Sequence, residues 1–319
     1  MEERVGIGVD LGGTNIKYAL ASETGKIFKE GLRPSYAQSD KMTILSNLAT
    51  AVDDLMRYAR SENIRVDVVG IGTPGNVNIE TGMLMGSTPN FRDWCDINLS
   101  DELGSRINLP VFADNDANVM ALGEARFGAG RAYRNLICIT VGTGIGGGII
   151  INGSVYRGAA YAGAELGHMV IDMEGIPCNC GSKGCLEMYA SATAMIKRFV
   201  SYCQRDKVKI DAKDLNAAYL FELYQKAHPQ ARQTIDESIY YLGRGLASFI
   251  NIFNPEIIII GGGVADAGEV FLNGIRDVTF RYAMEKPAEN VKIERALLGN
   301  RAGFLGALNF AFEQLDEIS

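Results

Sequence analysis

The chain has no apolar run near the ~20 residues that cross a bilayer; a stretch such as 257–260 is far too short. Its N-terminus, Met1-Glu-Glu-Arg-Val5, lacks the basic and apolar regions of a signal peptide. Positive charge is not in excess: 31 Lys and Arg against 38 Asp and Glu leave a formal net charge of −7. That balance disfavours the clustered cations that a nucleic-acid backbone requires. Low-complexity segments and long linkers are missing, and histidine occurs only twice. These absences point to a soluble cytoplasmic protein with neither a membrane nor a nucleic-acid partner.

What is present suits a globular enzyme. With 319 residues, 47% hydrophobic and 22% charged, the chain can bury a large core, and its length suggests two domains or one fold with two lobes. Apolar runs at 5–10, 16–20 and 26–32 read as strands, 41–60 as a helix, 66–71 and 109–112 as strands, and 115–127 as a helix. The second half restarts in the same way. A strand at 136–141, a glycine turn at 142–148 and a strand at 149–151 echo the first two strands and the turn between them. Asn152-Gly153 then reads as a hairpin turn. From 187 to 253 the chain is mainly helical; a strand at 256–260, a helix at 268–282, a strand at 291–293 and a helix at 302–315 complete it. The pattern predicts duplicated α/β lobes with mixed sheets around a cleft.

Glycines without side chains let backbone N–H groups approach phosphate oxygens. Asp10-Leu-Gly-Gly-Thr14 adds a carboxylate that can position hydrated Mg²⁺. Gly142-Thr-Gly-Ile-Gly-Gly-Gly148 repeats the glycine and threonine pattern, and Gly261-Gly-Gly263 ends a third strand. None fits the phosphate loop ending in Gly-Lys-Ser/Thr or the Rossmann fingerprint. A single such turn is more often a hairpin, but three point to a nucleotide phosphate chain. Asp114-Asn-Asp-Ala-Asn118 follows a strand and opens a helix. A carboxylate there could take a proton from a hydroxyl, or Asp and Asn could simply cap the helix. Both readings stand on spacing alone. His168 precedes Cys178-x-Cys180-x₄-Cys185. One imidazole and three thiolates make the set of a closed structural zinc site, with redox chemistry second because Cys-x-Cys is not the usual redox pair. Cys95, Cys138 and Cys203 are scattered, His228 reads as a surface residue and Trp94 as packing.

These motifs together resemble the ROK sugar kinases, of the actin-like ATPase (ribonuclease H-like) fold, over nearly the whole chain, and bacterial glucokinases most of all. The resemblance rests on the two glycine turns, Asn115-Asp-Ala-Asn118 followed by Ala121-Leu-Gly-Glu124, and Cys178-x-Cys-Gly-x-x-Gly-Cys-x-Glu187. It implies ATP-dependent phosphorylation of a hexose, glucose first, at its 6-hydroxyl, with Asp116 as general base. Sugar contacts would come from Gly75, Asn90, Asn115, Asp116, Glu165, His168 and Glu187. ATP and Mg²⁺ would meet Asp10, Gly12, Gly13, Thr14, Asn15, Lys17, Gly142, Thr143, Gly144, Gly146, Gly147, Gly262 and Gly263. Zinc would be held by His168, Cys178, Cys180 and Cys185, with one imidazole nitrogen on the metal and the other on a sugar hydroxyl. The expected lobes are 1–117, completed by a C-terminal helix at 301–319, and 118–300 with the zinc site.

Alternatives remain. Kinases of N-acetylmannosamine, N-acetylglucosamine or another hexose, or polyphosphate as donor, would use the same architecture. The family resembled also holds sugar-responsive repressors with a DNA-binding domain ahead of the kinase-like body, for which the first strand at Val5 leaves no room. A sugar-binding module without catalysis would have no use for Asp116 or the paired turns. A homodimer or higher homo-oligomer is the default assembly.

Overall fold

The computed structural model describes residues 3–86, 91–210, 215–264 and 268–318. The chain divides into two compact units. One gathers Met1–Arg134, Gly148–Ala164 and Leu297–Ser319; the other gathers Asn135–Gly147 and Glu165–Ala296.

In the first unit the strands β1 (Val5–Leu11), β2 (Asn15–Ser22) and β3 (Ile27–Pro34) precede helix α1 (Lys41–Ser61). Strand β4 (Val69–Thr73) leads to three short strands, β5 (Asn76–Asn78), β6 (Met83–Met85) and β7 (Ile97–Asn98), which form an antiparallel meander. Helix α2 (Leu99–Ile107), strand β8 (Val111–Asn115) and helix α3 (Asp116–Phe127) follow. The main sheet has the order β3-β2-β1-β4-β8, antiparallel from β3 to β1 and parallel from β1 to β8.

Two-residue periodicity divides this sheet's faces. Ile7, Val9, Leu11, Ile16 and Leu20 form one core with Ile44, Leu48, Val52 and Leu55 of α1. Ala19 and Ala21 point the other way, into a cluster with Phe304, Leu305, Leu308 and Phe312. Those four belong to the C-terminal helix, numbered α10 below (Ala302–Glu317). Its backbone reaches the sheet because the facing positions are glycine. A Cβ at Gly8 would lie 1.9 Å from the Phe304 carbonyl oxygen, and one at Gly70 1.9 Å from that of Ala307.

The second unit begins with β9 (Leu136–Val141), and the division between units passes through β10 (Ile145–Ile151); β11 (Ser154–Val155) closes the Asn152-Gly153 hairpin. Both hairpin residues have positive φ, 54° and 87°, as a tight two-residue turn demands. Helices α4 (Glu187–Ala190), α5 (Ala192–Arg205), α6 (Ala217–Gln225) and α7 (Pro229–Phe253) precede β12 (Ile257–Gly261). Helices α8 (Glu269–Tyr282) and α9 (Glu285–Ala288), strand β13 (Lys292–Arg295) and α10 end the chain. Helix α7 packs against α5, α6 and α8. The sheet order β11-β10-β9-β12-β13 repeats that of the first sheet: a terminal hairpin, then two further strands, with β12 parallel to both β9 and β13. The duplication expected from the glycine turns is therefore present in the topology.

Several elements differ from the sequence expectation. Strand β4 starts at Val69 rather than 66, and β10 starts at Ile145, so the turn is confined to 142–144. Gly147 and Gly148 lie within the strand, and close neighbours account for their being glycine: a Cβ on Gly147 would lie 2.6 Å from Leu166 Cδ1 and one on Gly148 2.6 Å from Ala121 Cβ. The β5–β7 meander and α2 went unforeseen, since two- and three-residue strands carry no readable period and α2 buries only Leu99 and Leu103. Trp94 is packing, as expected; its ring is buried and its Nε1–H donates to Thr73 Oγ1 at 2.8 Å. His228 is not simply a surface residue. It is half-buried, with its ring 5.6 Å from that of Phe199. Among the described residues, no helix is long and apolar enough to cross a membrane.

Candidate functional site

The first glycine turn joins β1 to β2. Gly12 N–H donates to the Asn15 carbonyl at 2.9 Å, and Ser35 N–H donates to that of Thr14 at 2.9 Å. Gly13 and Thr14 are exposed, and no heavy atom lies within 4 Å of where a Cβ on Gly13 would stand. Asp10 and Lys17 are cross-strand partners, with Nζ 3.6 Å from Oδ2. Burial pushes the Asp10 carboxyl above its ordinary value, and the Lys17 ammonium opposes that rise. The first turn of α10 comes so close that a Cβ on Gly303 would lie 2.6 Å from Asp10 Cγ.

The β8–α3 junction separates the two readings of its carboxylate and amide. Asn115 is the N-cap: its Oδ1 accepts from Ala117 N at 3.0 Å and from Asn118 N at 3.2 Å. Its amide nitrogen donates to the Gly75 carbonyl at 3.1 Å and to Asp116 Oδ1 at 3.2 Å. Capping is thus done by Asn115, and Asp116 is the first helical residue, half-exposed, with its carboxylate among the N–H groups of the first turn. Asp114, not singled out from the sequence, is buried beneath them. Its Oδ1 accepts from Asn115 N at 2.7 Å and from the Asn118 amide at 3.2 Å. Its Oδ2 receives Arg157 Nε at 2.9 Å and Nη2 at 2.7 Å, and the guanidinium lies 5.1 Å from the centre of the Phe310 ring. The chain signal for Asp114 was a charged residue ending an apolar strand; nothing local marked Arg157 as its partner.

In the second unit Glu165 is exposed and heads a single 3₁₀ turn, Leu166–His168. His168 Nδ1 lies 3.6 Å from Cys178 Sγ, and Cys180 Sγ lies 3.6 Å from Cys185 Sγ. One ligand atom from each of the four residues lies within 4.8 Å of all the others. A tetrahedral ion with ~2.3 Å bonds to sulfur and ~2.0 Å to nitrogen has edges of about 3.5–3.8 Å, so the donor set suits zinc in its chemistry and the His168–Cys178 and Cys180–Cys185 separations match such edges. Gly181 and Gly184 have positive φ at 92° and 75°, which lets the loop turn around the four atoms. A Ser182 backbone hydrogen bond holds the Cys180 thiol below its ordinary value. Burial, and then the neighbouring thiols, push Cys185 up to about 12.

Glu187 opens α4, and its Oε2 accepts from Ile145 N at 2.8 Å, beside the second glycine turn. Gly142 N–H donates to the Gly144 carbonyl at 2.9 Å. Gly262, at φ 84°, lies against the end of β9, where Val264 N–H donates to the Val141 carbonyl at 3.1 Å. Beyond β12, Ile260, Gly268, Glu269, Phe271, Leu272 and Arg295 line a cavity of about 100 Å³.

The structure thus gathers Asp10, Gly12, Gly13, Thr14, Asn15, Lys17, Gly75, Asn115 and Asp116 in one unit. It gathers Gly142, Thr143, Gly144, Gly146, Gly147, Glu165, His168, the three cysteines, Glu187, Gly262 and Gly263 in the other. Asn90 lies outside the described residues.

Known proteins align with this arrangement from end to end. A glucokinase of Thermotoga maritima is 38% identical over 316 residues, 97% of this chain and 98% of its own. The crystal structure of a ROK family glucokinase from Streptomyces griseus, in complex with glucose and AMPPNP, superposes with a TM-score of 0.82 at 33% identity, covering 97% of this chain and 99% of that one. A xylose repressor of Caldicellulosiruptor bescii is 33% identical over 95% of this chain, which covers 76% of the repressor. The shared fold is the actin-like ATPase architecture that the family resemblance implied, and its repeated sheet order matches the duplication read from the glycine turns. The sequence profile of the ROK family matches residues 6–314, and this chain belongs to that family.

Proposed function

We propose that this protein is an ATP-dependent hexose kinase that phosphorylates glucose at the 6-hydroxyl. The observation that carries the reading is the β8–α3 junction in a chain aligned end to end with glucokinases. Asn115 does the capping and holds the half-exposed carboxylate of Asp116 through its side-chain amide. Asp116 takes the hydroxyl proton as the sugar oxygen bonds to the γ-phosphorus; the bond from that phosphorus to the β-phosphate oxygen breaks and ADP leaves. Gly75, Asn90, Asn115, Glu165, His168 and Glu187 contact the hydroxyls. Carboxylates suit a polyol because each oxygen accepts hydrogen bonds from hydroxyl groups, and a missing hydroxyl leaves an acceptor unpaired.

The turns at 12–15 and 142–147, with Gly262 and Gly263 towards the nucleoside, hold ATP. Asp10 and Lys17 flank its phosphates, and the magnesium ion supplies charge neutralisation there when bound. Zinc on His168 Nδ1, Cys178, Cys180 and Cys185 is structural. When bound it fixes the imidazole tautomer and so the direction of Nε2, the nitrogen assigned to the sugar. A cytoplasmic homodimer or higher homo-oligomer is the expected form.

Initial rates with glucose, mannose, their N-acetyl derivatives and fructose, under saturating MgATP or polyphosphate, test the substrate and donor assignments. Glucose with MgATP should lead; no turnover of any hexose with either donor would refute the kinase reading. The repressor relative supports a second reading, regulation of transcription. A DNA-binding assay with and without sugar separates the two, and no specific complex is expected.

A further inference from the structure

The hydrogen bonds around the second glycine turn assign a task to a residue outside every motif above. Three consecutive carbonyls of this turn are occupied, two of them by the start of α5. Ala192 N–H donates to the Gly142 carbonyl at 2.9 Å, and Thr193 Oγ1–H donates to the Thr143 carbonyl at 2.7 Å. The Gly144 carbonyl accepts from Gly142 N–H within the turn. In a trans peptide the N–H points opposite to the carbonyl of the preceding residue. Holding the 142 and 143 carbonyls against the start of α5 therefore turns the N–H groups of Thr143 and Gly144 the other way, as two adjacent donors of an anion-binding nest. The next N–H, of Ile145, is already bonded to Glu187 Oε2 at 2.8 Å. A Cβ on Gly144 would lie 2.3 Å from that same oxygen, so Glu187 closes directly over the turn.

Resting on the kinase reading above, we propose that Thr193, together with Glu187, is a positioning residue for nucleotide phosphate. It locks the 143–144 peptide plane so that the Gly144 N–H faces the phosphate, beside the Thr143 N–H that Ala192 turns the same way through the Gly142 carbonyl. Thr193 touches no substrate; it acts through the turn. Its place explains why a hydroxyl is needed: an aliphatic side chain in the first turn of α5 cannot donate to the Thr143 carbonyl. Glu187 offers Oε1 to the sugar while Oε2 holds the turn, so the hexose contact and the phosphate turn share one carboxylate.

Thr193→Val removes the donor and keeps the shape, and Thr193→Ser keeps the donor. Calorimetry of MgADP binding and steady-state kinetics on the full chain give the readouts, with melting temperature and zinc content as controls. A neutral hydrogen bond is worth roughly 3- to 10-fold in an equilibrium. Thr193→Val should therefore weaken MgADP binding and raise KM for MgATP by roughly that factor. KM for glucose should stay within about 2-fold, because the lost donor lies on the phosphate side of Glu187. Thr193→Ser should restore nucleotide affinity. Wild-type nucleotide affinity in Thr193→Val, an equal rise in both KM values, or a Thr193→Ser variant as impaired as the valine would overturn the proposal and leave the kinase reading intact. A wild-type protein that neither binds MgADP nor turns over glucose would overturn both.

Discussion

The two glycine turns look like copies of each other in the sequence, yet they are held in different ways. The first is supported by its own hairpin and the residue just past the adjoining strand: Gly12 bonds to Asn15, and Ser35 bonds to Thr14. The second draws support from 42 and 50 residues away, through Glu187 and Thr193. That support comes from the segment directly after Cys185, the last of the four clustered metal-type ligands. Duplication copied the strand–turn–strand path, but each copy acquired its own scaffold. The hydrogen bonds of the first turn reach no further along the chain than Ser35, whereas those of the second come from the start of α4 and α5.

Replacing Asp116 sets the upper end of the scale because it changes chemistry and leaves both turns alone. Asp116→Asn preserves the acceptor for Ala117 N–H, so MgADP affinity should hold while kcat falls by ~10²–10⁴ in steady-state assays. Unchanged kcat would remove Asp116 from the mechanism.

The contrast has one exception that can be pressed. Asp114, in the locally supported unit, is held by Arg157 from 43 residues away, with the carboxylate side chain only 2% exposed. Arg157→Met leaves that charge buried and unpaired, and stability to urea should drop by about 3–5 kcal/mol. Adding Asp114→Asn should recover part of the loss; a drop below about 1 kcal/mol, the level of a surface pair, would mean that the pair is solvated in practice.

Metal removal addresses the contrast most directly. Chelation, or Cys185→Ser, should raise amide hydrogen exchange at 142–148 and leave 11–16 unchanged, because only the second turn hangs from the cysteine segment. Equal exchange in both turns would mean that the cysteine segment does not support the second turn selectively.

The smallest effect should come from paired glycine substitutions. Gly144→Ala pushes a methyl onto Glu187 Oε2, whereas Gly13→Ala meets open space. Because the obstacle is a flexible side-chain end, Gly144→Ala should cost little in melting temperature. It should nevertheless raise KM for glucose and for MgATP together, by roughly 10-fold, the cost of losing a charged hydrogen bond. Gly13→Ala should leave KM for glucose unaltered in the same assay.

Much of the fold was legible because its signals are local. Alternating apolar residues in β1 and β2, the Asn152-Gly153 hairpin and the helix periodicity of α1 each follow from rules that span a few residues. The cysteine cluster was legible for a similar reason, since Cys178, Cys180 and Cys185 are neighbours and His168 is ten residues upstream. The β5–β7 meander was not, because strands of two or three residues take their shape from partners and carry no periodic pattern of their own. The junction carboxylate lay between the two cases: sequence named Asn115 and Asp116 together, and only coordinates show which one caps the helix.

Sequence by itself therefore settled which residue types stand where short-range geometry is enough: two glycine turns after apolar strands, a soft-metal donor set, and an acid at a strand–helix junction. Tertiary structure alone decided what supports them. The partner of Asp114, the hydroxyl that orients the Thr143 carbonyl and the carboxylate that covers Gly144 all come from distant parts of the chain. The physical reason is that a hydrogen bond needs its two atoms within about 3 Å, and nothing in the local pattern of residues specifies which far segment the folded chain will bring to that distance.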